Sequence, residues 1–184
     1  TEDITRRMTR PYMTDDQRFA SRRPDVMTYQ TEVLEEDVTL VGPVIADLMV
    51  STSGTASDWV VKLIDLYPEE EPLQPELGGY QLMVSADILR GRHRESFEKA
   101  RPMPAGEVLR YRIRMPHASH TFLAGHRLMV QIQSTWFPLY DRNPQTYVPS
   151  IMFAPPESYK TQRHPIHHSS RLPTHIELLV EATN

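Results

Sequence analysis

Cysteine is absent from this 184-residue chain, which excludes disulfide frameworks, thiolate metal centres and thiol nucleophiles. The absence says nothing about compartment, because a core of this size needs no covalent staples. Glycine is scarce, at seven residues against sixteen prolines. Prolines spread from Pro11 to Pro173 work against long helices and suit short strands joined by stiff turns. No apolar run approaches the roughly 18 residues that a membrane-spanning helix needs. The N-terminal stretch TEDITRRMTRPYMTDDQRF is charged throughout, unlike a signal peptide. A first residue of threonine rather than methionine is expected of a processed, trimmed or excised chain. The formal net charge of -4 gives no basic surface for nucleic acid or anionic lipid.

Catalytic motifs are missing as well. No serine has glycine both two residues before and two after it, so the strained elbow that exposes a hydrolase nucleophile is absent. No βαβ alternation is present to carry one. Neither a glycine-rich phosphate loop nor a His-Glu-x-x-His helix occurs. Histidines cluster in HPIHH (His164, His167, His168), with His175 nearby. Imidazoles at such spacing can converge on a transition metal, but the plainer reading is a polar loop between strands. His117 and His120, in HASH, read as a turn. No metal and no cofactor is expected.

What remains is alternation. VGPVIADLMVS places Val44, Ala46, Leu48 and Val50 on one side of a pleat. EVLRYRIRM sends Leu109, Tyr111, Ile113 and Met115 one way and Arg110, Arg112 and Arg114 the other, the latter as a solvated face or an anion or partner site. HRLMVQIQS puts Leu128, Val130 and Ile132 inward, with Arg127, Gln131 and Gln133 outward. THIELLVEA points Ile176, Leu178 and Val180 inward. DWVVKLIDLYP is apolar on both sides except at Lys62 and Asp65, as for a strand covered on both faces or bordering an interface. YQLMVSADILRGR has some helical composition but reads as a strand. Seven or eight strands with almost no helical period predict an all-β, mostly antiparallel sandwich or barrel. It would occupy residues 31–184 behind an extended arm at 1–30, with no second domain.

The densest stretch is HTFLAGHRLMVQIQSTWFPLYDRNPQ. Gly125 at the turn into a strand is expected at positive φ, with His126 hydrogen-bonded to the neighbouring loop. Trp136, Phe137, Pro138 and Tyr140 form a stiff aromatic corner, and Pro138 ends strand pairing. Asp141 and Arg142 can pair locally, while Asp141 and Asn143 can accept turn amides. His126, Trp136, Phe137, Tyr140, Asp141, Arg142 and Asn143 are therefore the candidates for a domain interface or pocket edge. Trp136, Phe137 and Tyr140 are expected to be exposed in the isolated domain. No nucleophile or activated base stands beside them.

That stretch, with VGPVIADLMVSTSGTASDWVVKLIDLYP, YQLMVSADILRGRHRESFEK, LPTHIEL and the preceding YMTDDQRFASRRPDV, resembles the C-terminal domain of the CocE/NonD acyl hydrolases. The likeness runs from about Pro11 to Leu179 and is strongest to the α-amino-acid ester hydrolases. Glutaryl-7-aminocephalosporanic acid acylase-like and X-Pro dipeptidyl-peptidase proteins stand further off. The resemblance implies a jelly-roll β-sandwich similar to galactose-binding-like domains. It also implies a non-catalytic accessory role, bracing an α/β-hydrolase domain that carries a Ser-His-Asp triad, beside a helical cap, and walling one side of the acyl pocket. No triad motif is present to carry over, so this chain alone is not expected to catalyse. The two-sided strand Trp59 to Tyr67 would face the hydrolase domain, and the arm would supply homo-oligomer contacts. Family resemblance favours a periplasmic or secreted protein. A free-standing jelly-roll module for carbohydrate or another small ligand is the alternative, since WFPLYDRN supplies aromatics beside Asp, Arg and Asn. A metal enzyme built on the loop histidines is a third.

Overall fold

The computed structural model describes residues 15–182. A single helical turn, α1 (Arg18–Ser21), is followed by nine strands: β1 (Val26–Gln30), β2 (Val38–Val50), β3 (Asp58–Leu66), β4 (Gln81–Arg90), β5 (Leu109–Phe122), β6 (Arg127–Gln133), β7 (Ile166–Ser169), β8 (Leu172–Pro173) and β9 (His175–Val180). They form two antiparallel sheets. One has the order β1-β6-β3-β4. In the other, β2 is central, with β5 on one side and β9 and β7 along the other. The fold is an all-β sandwich, as the alternation predicts. No described helix is long and apolar enough to cross a membrane.

The period of two puts one face of each sheet into a shared core. Val44, Ala46, Leu48 and Val50 of β2 meet Tyr111, Ile113 and Met115 of β5, and Trp59, Val61 and Leu63 of β3 with Ile132 of β6. Burial pushes the Tyr111 phenol up to about 12. Ser85 of β4 donates to the Pro116 carbonyl of β5 at 2.9 Å and ties the sheets along one edge. The β2–β5 register slips between Gly42 and Val44, where Pro43 has no amide to give the ladder. Gly125 has φ +88°, as expected of the turn into β6.

Several expectations change. His117 and His120 lie within β5, not in a turn, because the strand continues to Phe122. Val180 is 48% exposed where an inward position was expected, since β9 reaches past the core at its C-terminal end. Gln131 and Gln133 do point away from the core, yet both are buried. Their face of the four-stranded sheet is covered by the chain's own N-terminal segment. From Asp15 onward the expected arm is part of the domain: the Gln17 amide donates to the Gln81 carbonyl at 3.1 Å, and β1 pairs with β6 from Val26↔Gln133 to Gln30↔Met129. This cover explains β3, in which every residue from Asp58 to Asp65 is buried. The second apolar face of β3 meets residues of its own chain, so the strand is covered on both faces, the first of its two readings, and is not left open to a hydrolase domain.

Candidate functional site

The loops at one end of the sandwich converge on Arg90 and the short 3-10 turn Gly91–His93. Arg90 pairs with Asp141 and lies 3.6 Å from Asp58. Arg92 donates to the Val148 carbonyl at 2.9 Å and stacks over Tyr147, whose hydroxyl donates to the Ala100 carbonyl at 3.2 Å. Asn143 donates to Asp58 at 2.7 Å and accepts the Gln145 amide at 2.9 Å. Asp58 is buried, and desolvation pushes its carboxyl up to about 6 against the opposing pull of Asn143 and Arg90. The corner containing Trp136 to Asn143 is thus bolted to the ends of β3 and β4.

The corner differs from its expected form at Trp136. That side chain is 5% exposed and roofs the outer face of the four-stranded sheet. It stacks on Tyr140 at 5.9 Å, and the Lys62 Nζ lies 5.6 Å from its ring. The reason is physical: around Lys62 the outer face presents Val60, Ile64, Met129 and Gln131, all apolar or uncharged, so the nearest large ring is drawn over it. Phe137 and Tyr140 are exposed as expected, at 62% and 37%. Asp141 turns to Arg90 instead of its neighbour, leaving Arg142 over the Tyr159 ring at 5.9 Å. Asn143 accepts a turn amide as expected.

His126 lies at the opposite end of β3 and is not part of the corner. Its Nδ1 is 2.8 Å from Asp65, which also holds the His120 Nε2 at 2.8 Å, and Tyr67 packs on its ring at 4.5 Å. This His-Asp-His link joins β5 of one sheet to β3 and β6 of the other. Asp65 is an exception in a mostly apolar strand, and hydrogen bonds with two imidazole rings are what make its burial tolerable.

The remaining histidines do not converge. His164 packs edge-on against Trp59 at 5.6 Å, and burial holds its pKa down. His168 meets Tyr29. His167 Nε2 is 3.2 Å from Ser51 Oγ. That serine is buried, and no described carboxylate orients the imidazole, so the pair lacks the third member of a nucleophilic triad. His175 lies with Asp47 and Glu177 in a grouping of metal-ligand type. There the carboxylates are already occupied by Arg110 and Arg112.

Beside the corner lies a cleft of about 860 Å³. Three candidates, Phe137, Arg142 and Asn143, line it, together with Arg23, Asp25, Tyr159 and Lys160. Tyr159 and Lys160 were not singled out from the sequence. Their loop carries no alternation, and only the local PPESYK turn marks it.

The described residues form an all-β sandwich whose loops converge at one end, and no Ser-His-carboxylate triad stands among them. The chain belongs to the family of X-Pro dipeptidyl-peptidase C-terminal non-catalytic domains, whose family model matches residues 5–177, and it is a C-terminal domain of the CocE/NonD type. It is 40% identical over 131 residues to a cocaine esterase of Rhodococcus sp. (strain MB1 Bresler), covering 71% of this chain and 21% of that protein. Among solved structures, an aminopeptidase from a marine sediment archaeon, Thaumarchaeota archaeon, matches 93% of this chain at 54% identity and TM-score 0.91. A selenomethionine-labelled α-amino acid ester hydrolase matches 97% at 49% identity and TM-score 0.92. The chain spans 28% and 29% of those two chains.

Proposed function

We propose that this domain braces the catalytic α/β-hydrolase and cap domains of a serine acyl hydrolase and walls one side of its acyl pocket. The parent reaction is attack by a serine on an ester or amide carbonyl, followed by hydrolysis of the acyl-enzyme. Ester and X-Pro or aminopeptidase substrates all agree with the names of the relatives. The carrying observation is the set of large apolar side chains left exposed on the loops at the Arg90 end. Phe97 is 82% exposed, Phe137 62%, Met152 76% and Phe153 81%. Rigidly held loops that present apolar groups fit a contact with another domain. Self-association through the N-terminal arm belongs to the same reading. Residues 1–14 of that arm lie outside the described ones.

The test is the intact mass of the protein from its native source, with fluorophosphonate labelling of serine nucleophiles. The expected species is several times the mass of this chain and carries one label. An unlabelled native protein of 184 residues would overturn the proposal.

A further inference from the structure

We infer that the cleft between the start of β1 and the corner loop binds a carboxylate attached to a flat apolar body. This site goes beyond the bracing role and does not depend on it. The volume, about 860 Å³, lies within the range of small-molecule sites. Its charge is unbalanced. Arg23 is satisfied by a two-point pair with Asp25 at 2.9 and 2.5 Å. Arg142 and Lys160 line the same cleft and have no carboxylate within ion-pair distance among the described residues. The Arg142 guanidinium lies over the face of Tyr159. A guanidinium held by an aromatic face keeps its edge N–H groups for a planar acceptor, and a carboxylate is the acceptor that matches its fork. Phe137 and Met27, exposed at 62% and 49%, supply apolar surface for the ligand's body.

The wall is also built with constraint. Gln145 lines the cleft at φ +65°, the one non-glycine residue with positive φ among those described. Its amide is held by the Asn143 side chain. Gly54 lets that backbone approach, since a Cβ there would stand 2.4 Å from the Gln145 carbonyl oxygen and 2.8 Å from Gln162. Backbone outliers of this kind concentrate where a surface must hold a particular shape.

The probe is 3-phenylpropionate, titrated into the 184-residue chain and followed by amide NMR. Acetate, 3-phenylpropanamide and inorganic phosphate serve as comparisons. Saturable shifts at Arg142, Gln145 and Tyr159 are expected, weakening as salt is raised. The amide and acetate should each bind about tenfold more weakly or worse, the cost of losing a charge-assisted bond or the apolar contact. Arg142→Gln should lose a similar factor and Lys160→Gln less. Arg114→Gln, on the outer face of the other sheet, should lose none. Arg142 and Lys160 are surface side chains, and an unchanged remainder of the spectrum reports an intact fold. A capped Phe-Glu dipeptide amide separates two sources: tighter binding than the free acid assigns the site to an acidic segment of a neighbouring domain, weaker binding to a small acid. Absence of saturation, an amide as good as the acid, phosphate as good as phenylpropionate, or full affinity in Arg142→Gln would each overturn the site.

Discussion

The two sheets each place a charged residue on the outer face of a central strand, and they handle it in opposite ways. On the five-stranded sheet, Asp47 of β2 is met by Arg110 at 2.9 and 2.6 Å and Arg112 at 3.1 Å from the neighbouring β5. Arg112 continues to Glu177 of β9 at 2.6 and 2.7 Å. The carboxylate is hidden, but the arginines above it stand in water, and their hydrogen bonds hold the Asp47 pKa below its usual range. On the four-stranded sheet, Lys62 of β3 is 1% exposed and has no carboxylate within ion-pair distance among the described residues. Its ammonium donates to the neutral Gln17 Oε1 at 2.8 Å and lies 5.6 Å from the rings of Phe19 and Trp136. Around it, Gln131 donates to Gln81 at 3.1 Å. Burial lowers the Lys62 pKa to about 8, with Arg23 adding like-charge repulsion. Pleat direction thus decides which way a charge points, while the elements laid over that face decide whether water reaches it.

The largest break in this comparison is to remove the roof. Trp136→Ala in the isolated chain should cost about 3 to 5 kcal/mol, the usual range for a buried large aromatic. Denaturant unfolding measures it. A loss below about 1 kcal/mol would mean that the ring rests on the surface and that the two outer faces are alike.

The next experiment removes the charge and keeps the roof. Lys62→Met should stabilise the chain by about 2 kcal/mol at pH 7, because a desolvated ammonium held only by neutral groups among the described residues is replaced by a side chain of similar length. The pH dependence has a definite sign. With a folded pKa of about 8 below the unfolded value near 10.4, the unfolded state binds more protons between them. Wild-type stability should therefore gain from this group as pH rises through that window. The methionine variant should lack that gain, so the two unfolding curves should converge toward pH 10. Parallel curves would show a hydrated lysine. Asp47→Asn should act at the other end of the scale. Its folded pKa is depressed, so its contribution is present above the unfolded value near 3.9 and is lost as pH falls through the folded one. At pH 7 the loss should be only about 1 kcal/mol, because its partners are exposed and screened. Equal effects in pH 7 buffer and in 1 M salt would contradict that screening.

Much of this was legible in the chain. Alternation in β2, β5 and β6 identified which side chains meet between the sheets, since period two is a property of the strand itself. The arginine row was legible as an outward face for the same reason. Asp47 as its anchor was not, because cross-strand register joins residues 63 positions apart. The doubly apolar β3 announced a second cover but not its source. A four-residue helix, α1, has too little pattern to be read as a lid, and a tryptophan beside Pro138 reads equally as an exposed corner or a roof. The cleft was half legible: Phe137, Arg142 and Asn143 stood in a dense stretch, whereas Tyr159 and Lys160 arrive through a loop that only the fold brings near.

The smallest expected effect sharpens the comparison most. Phe137 follows Trp136 directly, yet it is 62% exposed against 5%. Phe137→Ala should therefore change the stability of the isolated chain by less than about 0.5 kcal/mol, as for an open surface position. Composition alone ranks the two rings together, and only the side of the corner on which each lies separates them. A stability loss in Phe137→Ala comparable to that of Trp136→Ala would show that the whole corner acts as roof. With the expected near-zero loss, unfolding measurements assign Trp136 to the fold and leave Phe137 available to the cleft and to whatever meets this end of the sandwich.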